Sequence, residues 1–577
     1  MPLRICLVTP FAWSRPHGVN EHVAGVAVEL RRLGHHVTVL APSTRTRDLR
    51  AGRRTIQTGA EADVIAVGPA LPVSRRSRMG VPVGVRANLS LALATGRYDV
   101  VHAFEPGLPS LSYLALRGAQ ALAVASFFSA ERLAYPPSRA QRDRLLAGVD
   151  ALVAASDEVA AAARARFPGE YAVVGEGVDT ELFRPAPKRA KIVLEWRASE
   201  RALARAAVRT LRELPEWELL LLRTKPLSPR PYVPPDLAGR VTVRTALDGS
   251  ARAELLADAA IFVPAAAGSA RVRLEAAAAG AAIAAPPAVA EQPELAAAAM
   301  ARLAEQPEVR ERKAHEAREA AERESFAEVA ARLDAVYRRI AGQRRRPRRG
   351  GEPLADRDWI LCDLHMHTAW SHDCSIPVAD LLDHAEAEGL GAVAVTDHNV
   401  LGGALEAVEL ARGRDLVVIP GEEVKTDGEG EVIGLFLSEE IPRGMSFAET
   451  VAAIRAQGGL VYVPHPFDRM HAIPDPATLR RQLHEIDVFE VYNARLLFEA
   501  YNDEALRFAR KYDLAMGAGS DAHVLQGVGT GAVRMRAFDG PEEFLIALRS
   551  AQVLRRRKSL VLLQGLKWVA QAKERVR

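Results

Sequence analysis

Residues 4–9 form a short apolar run, and after a loop carrying Pro16, Gly18 and Asn20 the apolar positions of 21–33 recur at helical spacing until Gly34. That pattern predicts a strand followed by an amphipathic helix that glycine stops. The run at 36–41 supplies the next strand, and further strand signals follow at 64–67, 100–104, 121–128, 151–155 and 171–174. Alternation of this kind predicts a parallel sheet covered by helices. A second series starts near Ile192, with strands at 192–195, 218–222, 241–244 and 260–263. The expectation is two doubly wound, Rossmann-like lobes over 1–183 and 184–340, with 306–340 charged, alanine-rich and helical. Residues 341–357 are expected to be a solvated linker, because 343–353 hold five arginines beside Pro347, Gly350, Gly351 and Pro353, which cannot build a core. Beyond it, over 358–577, α/β patterning returns. The end of that stretch, with Leu560, Leu563, Leu566 and Trp568 after a basic run, predicts a surface helix.

Length agrees with several domains, because 577 residues exceed the roughly 250–300 at which single cores stop growing. Hydrophobic residues at 49% and charged residues at 26% are ordinary globular values. A net charge of +4 from 76 basic and 72 acidic residues does not imply nucleic acid, although charge alone does not exclude it. No apolar stretch is long enough to span a bilayer, which leaves only peripheral membrane contact open. The first residues read as a strand rather than a signal peptide, and Cys6, Cys362 and Cys374 make no disulfide framework, so a reducing, cytoplasmic setting is expected. Of the 15 histidines, six precede residue 355 and the rest follow it, which points to metal or acid/base chemistry in the C-terminal part.

There the polar residues gather at strand ends, where a barrel of parallel strands builds its active site. His365 and His367 sit two apart on one predicted strand and project from one face. Later strands end in Asp397 and His398, in Glu422 and Glu423, in His465, in Asn493, and in Asp521 and His523, while Glu431 opens another. Each residue alone fits a capped turn or a satisfied core histidine; the joint pattern predicts a metal centre.

The segments Asp363-Leu-His-Met-His-Thr368, Thr396-Asp-His-Asn399, Gly421-Glu-Glu-Val424, His465-Pro466 and Ser520-Asp-Ala-His523 resemble, in order and spacing, the motifs of the PHP (polymerase and histidinol phosphatase) family. The resemblance implies a distorted seven-stranded β/α barrel with a trinuclear metal site that hydrolyses a phosphate ester. It implies one metal held by His365, His367, Glu423 and Asp521, a second shared through Glu423 with Glu431 and His465, and a third held by Asp373, His398 and His523. Some members have histidine where Glu431 and Asp373 stand, which shifts the expected preference toward manganese, iron or zinc with more oxygen donors. The attacking group would be a metal-bridged hydroxide placed by Glu423, Asp521 and His523. Lys425, Arg469 and Arg495 are candidates to hold the substrate phosphate, and Asn399 and Asn493 to orient ligands.

Residues 1–340 resemble two-lobed (GT-B-like) glycosyltransferases of family 4 at Gly18-Val-Asn-Glu-His22, Tyr98-Asp-Val-Val-His102, Gly177-Val-Asp-Thr-Glu-Leu-Phe-Arg-Pro185 and Leu274-Glu-Ala276. Gly18, Arg197 and Glu275 are the candidate nucleotide-sugar contacts. Three expected features are missing. Ala267 stands for the first of two glutamates, Ser126-Phe-Phe128 replaces a segment that ends in histidine, and Glu195 sits in the diphosphate loop with no lysine before Lys225. A carboxylate there repels a diphosphate. These losses predict a degenerate transferase retained for binding or scaffolding. The alternatives are an active nucleotide-sugar-dependent transferase with an accessory PHP domain, and a binding protein without activity.

Overall fold

A computed structural model describes residues 2–72, 78–79, 85–224, 229–265, 270–284, 292–344, 353–468, 474 and 476–556. Lys225, Ala267, Arg469, most of the arginine linker and the helix expected after residue 556 lie outside these residues. The chain divides into two compact units, Met1–Ile340 and Ala341–Arg577.

Unit 1 contains two parallel sheets, as the alternating pattern predicts. The first comprises β1 (Arg4–Val8), β2 (His36–Ser43), β3 (Val64–Pro69), β4 (Val100–Phe104), β5 (Leu122–Phe127), β6 (Ala151–Ala154) and β7 (Tyr171–Val173), in the order β3-β2-β1-β4-β5-β6-β7. The second comprises β8 (Arg189–Trp196), β9 (Glu218–Arg223), β10 (Val241–Thr245), β11 (Ala259–Val263) and β12 (Ala282–Ile283), in the order β10-β9-β8-β11-β12. Every residue of β4, β5 and β11 is buried, which requires layers on both sheet faces. Helix α1 (Gly18–Arg32) follows β1, while α2 (Gly249–Leu256) and α3 (Ala270–Ala278) flank β11.

The helical stretch after residue 306 is two helices, α4 (Pro307–Glu322) and α5 (Phe326–Ala341). The break is forced where the chain pairs with Val178, whose N–H reaches Glu324 O at 3.0 Å and whose C=O takes the Phe326 N–H at 3.0 Å. Helix α5 buries Val329, Leu333, Val336, Tyr337 and Ile340 and returns to the first sheet. There Tyr337 Oη lies 2.6 Å from His102 Nδ1, and Asp334 lies 3.0 Å from His35.

Unit 2 is built on β13 (Trp359–Met366), β14 (Ala392–His398), β15 (Val417–Lys425), β16 (Glu431–Leu435), β17 (Leu460–Val463), β18 (Val488–Asn493), β19 (Ala515–Gly519), β20 (Gly531–Arg536) and β21 (Gln552–Arg555). Their order is β19-β18-β17-β16-β15-β14-β13-β20-β21. The first seven strands nearly close a barrel. After β19 the Asp521 N–H reaches His365 O at 2.8 Å, and the His367 N–H reaches Ala522 O at 3.1 Å. Asp363 clamps this seam by accepting the N–H groups of Ser520 and Gly529, each at 2.9 Å. Burial pushes its carboxyl up to about 7. Gly519 is required there, since a Cβ would stand 2.3 Å from that of His365.

The barrel is not all parallel, because β16 runs antiparallel to both β15 and β17. Residues 426–430 join β15 to β16, and a connection that short permits only a hairpin. The reversal places Glu431, at the start of its strand, opposite Lys425 at the end of β15.

Candidate metal centre

Period-two geometry puts His365 and His367 on one face of β13, and both are fully buried. Their Nε2 atoms stand 3.2 Å apart. His365 Nδ1 is 3.2 Å from Glu490, and His367 Nδ1 is 3.1 Å from Ser371 Oγ, whose own hydroxyl donates to Asp397 at 2.7 Å. With both Nδ1 atoms engaged, both Nε2 atoms face the same space.

The remaining donors fill the rim of that space. Glu423 Oε2 lies 3.4 Å from His365 Nε2, 3.5 Å from His367 Nε2 and 3.1 Å from His398 Nδ1, while Oε1 lies 3.0 Å from His465 Nε2. Asp521 Oδ1 is 3.4 Å from His367 Nε2, and Glu431 is 3.7 Å from His465. Asp373 approaches His523 at 2.9 Å and His398 at 3.7 Å. Four overlapping triads result, His365–His367–Asp521, His365–Glu423–His465, His398–Glu423–Glu431 and His367–His398–His523, each with its ligand atoms within 4.8 Å of one another. Imidazole and carboxylate donors converging in this way fit borderline divalent cations such as manganese, iron or zinc.

Electrostatics bind the donors to one another. Burial pushes His365 down, but the carboxylates of Glu423, Asp521 and Glu490 outweigh it and hold the ring well above its ordinary value. Burial likewise opposes ionisation of Glu423, yet His365, His398 and His465 hold it well below the usual carboxylate range. Asp521 is depressed against burial by Arg495 and His365. His367 is held well below its ordinary value by burial and by His523. His465 and Asp521 both occupy the left-handed backbone region, at φ 26° and 51°, a conformation that costs a non-glycine residue about 1–3 kcal/mol.

All nine residues assigned to metal by resemblance therefore lie together. Their strand-end neighbours do not share the space, because alternation turns them to the other face. Asp397 accepts the Thr368 N–H at 2.7 Å and its hydroxyl at 2.6 Å, and Glu422 accepts the Ile441 N–H at 2.8 Å. Asn399, at φ 56°, accepts the Lys425 N–H at 2.9 Å, and the Lys425 side chain is exposed. Asn493 donates to Glu490 at 3.1 Å and to Asp521 at 3.3 Å. Arg495 reaches Asp521 at 3.1 Å and the His523 ring at 3.2 Å. Sequence reasoning missed Glu490, which is buried and also accepts the Tyr462 hydroxyl at 2.9 Å and the His465 N–H at 2.6 Å. A glutamate inside the apolar run Val488-Phe-Glu-Val-Tyr was the available signal.

In unit 1 two of the three candidate contacts, Arg197 and Glu275, are already engaged. Gly18 opens α1. Both Glu275 oxygens bind Arg252, at 2.6 and 2.7 Å, and Arg252 also reaches Glu21 at 2.7 Å. Arg197 pairs with Glu195 at 2.9 Å, and the Thr224 hydroxyl donates to the same carboxylate at 3.0 Å. Ser126 Oγ stands 2.6 Å from His102 Nε2. Among the described residues no helix is long and apolar enough to cross a membrane.

Comparison with known proteins accords with this division. The family model for the PHP domain matches residues 363–509, that for a PHP-associated segment matches 499–553, and that for Glycosyltransferase Family 4 matches 16–182. An uncharacterized protein of Methanocaldococcus jannaschii is 35% identical over 212 residues, 34% of this chain and 84% of that protein. A phosphatidyl-myo-inositol mannosyltransferase of Propionibacterium freudenreichii is 30% identical over 210 residues, 35% of this chain but only 52% of that enzyme. A solved glycosyltransferase of Rickettsia africae covers 59% of this chain and 98% of its own at 15% identity, with a TM-score of 0.42. The chain belongs to the PHP family through its C-terminal domain, to which an N-terminal Glycosyltransferase Family 4 domain is fused.

Proposed function

We propose that unit 2 hydrolyses a phosphate ester with the help of about three divalent cations held by His365, His367, Asp373, His398, Glu423, Glu431, His465, Asp521 and His523. The observation that carries this reading is the convergence of four donor triads in one space. Divalent cations bound there supply Lewis acidity toward a phosphoryl oxygen and bring the pKa of water to about 7. The chain's own residues do the rest. Glu490 fixes the ring of His365 and the backbone of His465, Ser371 fixes His367, and Asn493 steadies Asp521, so the donors are held before any ligand arrives. Arg495, beside Asp521 and His523, is placed to pair with a substrate phosphate oxygen, and Lys425 supplies further positive charge from the end of β15. The test is phosphate release by the full chain with added manganese from a panel of mono- and diesters. Activity that survives both His365→Ala and Asp521→Ala would sink the reading.

Unit 1, in this reading, binds or scaffolds without transferring sugar. Glu275 and Arg197, its candidate nucleotide-sugar contacts, are spent on internal ion pairs. The mannosyltransferase relative favours the other reading, in which unit 1 transfers a sugar from a nucleotide donor. Transfer that survives Asp521→Ala but not Glu275→Ala would establish it.

A further inference from the structure

Trp370 lies in the loop between two members of the donor set, His367 and Asp373, and half of its surface, 50%, is open. Its surroundings hold it in one place. The Trp370 N–H donates to Thr368 Oγ1 at 3.2 Å, and the next residue, Ser371, contacts His367, Asp397 and the backbone of His398. The indole N–H donates to Glu406 at 2.8 Å. The ring lies flush on the first turn of α6 (Gly402–Leu410), where a Cβ on Gly402 would stand 2.4 Å from it and one on Gly403 2.9 Å. Only glycine allows so close an approach. Two bonds and a glycine pair thus fix a large aromatic surface in the loop between His367 and Asp373 and leave half of it open. Leu497 and Phe498, 62% and 56% exposed, follow Arg495, which touches Asp521 and His523.

We propose that Trp370 is a stacking platform for the esterified group of the substrate, so that unit 2 favours phosphate esters of flat aromatic alcohols over those of small alkyl alcohols. The proposal rests on the phosphoesterase reading above. An immobile ring costs little ordering entropy when a ligand stacks on it. Aromatic pairs strengthen binding about threefold to tenfold beyond their buried area. The contact is remote from the reacting phosphorus and is the same before and during reaction, so it lowers KM and leaves kcat unchanged.

The experiment measures KM and kcat of the full chain with manganese on phenyl phosphate and on ethyl phosphate, for the wild type, Trp370→Ala and Trp370→Phe. The expected result is a rise of about threefold to tenfold in the phenyl KM of Trp370→Ala, no change in its ethyl KM, and near-complete rescue by phenylalanine. Equal changes on both esters, or an unchanged phenyl KM, would overturn the proposal. Alanine uncovers Gly402 and Gly403, so Glu406→Gln, which loosens the ring without removing it, is the second variant, and it should move the phenyl KM in the same direction by less. Binding of phenylphosphonate and methylphosphonate is measured alongside. If the wild type hydrolyses neither ester, the panel of mono- and diesters decides the phosphoesterase reading and the phosphonates decide the platform. A phenyl preference lost in Trp370→Ala keeps the platform; no preference in the wild type removes it.

Discussion

Both units bury carboxylates, and two acids of the donor set in unit 2 behave in the opposite way to the buried acids of unit 1. In unit 1, burial pushes Glu105 up to about 7 and raises Glu176 and Glu275, although Arg132, Arg271 and Arg252 stand beside them. In unit 2, Glu423 and Asp521 are just as buried but lie well below the ordinary range. The difference is the number and kind of neighbours. A unit 1 acid meets one or two guanidiniums in a finished ion pair, whereas Glu423 meets three imidazoles, which hold it ionised while protonated and can exchange those protons for a metal ion. A charge set answered within the chain is structural; one whose donors converge on shared space asks for a cation.

Four experiments would break or sharpen this contrast, in decreasing order of expected effect. Asp521→Ala removes a carboxylate from the shared space and should reduce metal-dependent phosphate release to background, while thermal melting still shows a folded chain. Arg252→Ala strands Glu275 and leaves Glu21 with Arg271 alone, and should destabilise unit 1 by about 3–5 kcal/mol in denaturant titration without altering the kcat of hydrolysis.

The third concerns pH. Glu105 has a folded pKa near 7 against about 4.5 when unfolded, so its neutral form favours the native state. That contribution is complete below about pH 4.5, is lost as pH rises through 7, and amounts to about 3 kcal/mol. Unfolding of the wild type at pH 5 and pH 8 should show the loss, and Glu105→Gln should flatten it. Last, Glu490→Gln keeps the shape but weakens the grip on His365 and His465. Titration with manganese should show metal affinity about tenfold to a hundredfold lower.

Eight of the nine candidate donors were legible because each lies at or just beyond a strand terminus, where local sequence fixes position; Asp373, in the loop after β13, was reached only through the resemblance. Glu490 was hidden in the middle of a strand, where an acid reads as an oddity until its partners, 125 residues away at His365 and 25 away at His465, are known. The antiparallel β16 was readable in principle, since the loop before it is too short for a crossover. The ion pair of Arg252 with Glu21 was not, because it joins residues 231 apart through packing that no local pattern encodes. Losses at Glu195 and Ala267 were visible in the sequence, but the arginine that Glu195 engages was seen only in the fold.

The seam clamped by Asp363 has a consequence for synthesis. Asp363 and Ser520 are 157 residues apart, so at about 5–20 residues per second the ribosome needs about 8 to 30 s after making one to deliver the other. Through nearly all of that interval His365 and His367, and through its later part Glu423, are already made while Asp521 and His523 are not. The nascent domain must carry an incomplete set of metal donors, and the centre is completed only when the final strand of the barrel docks against the first.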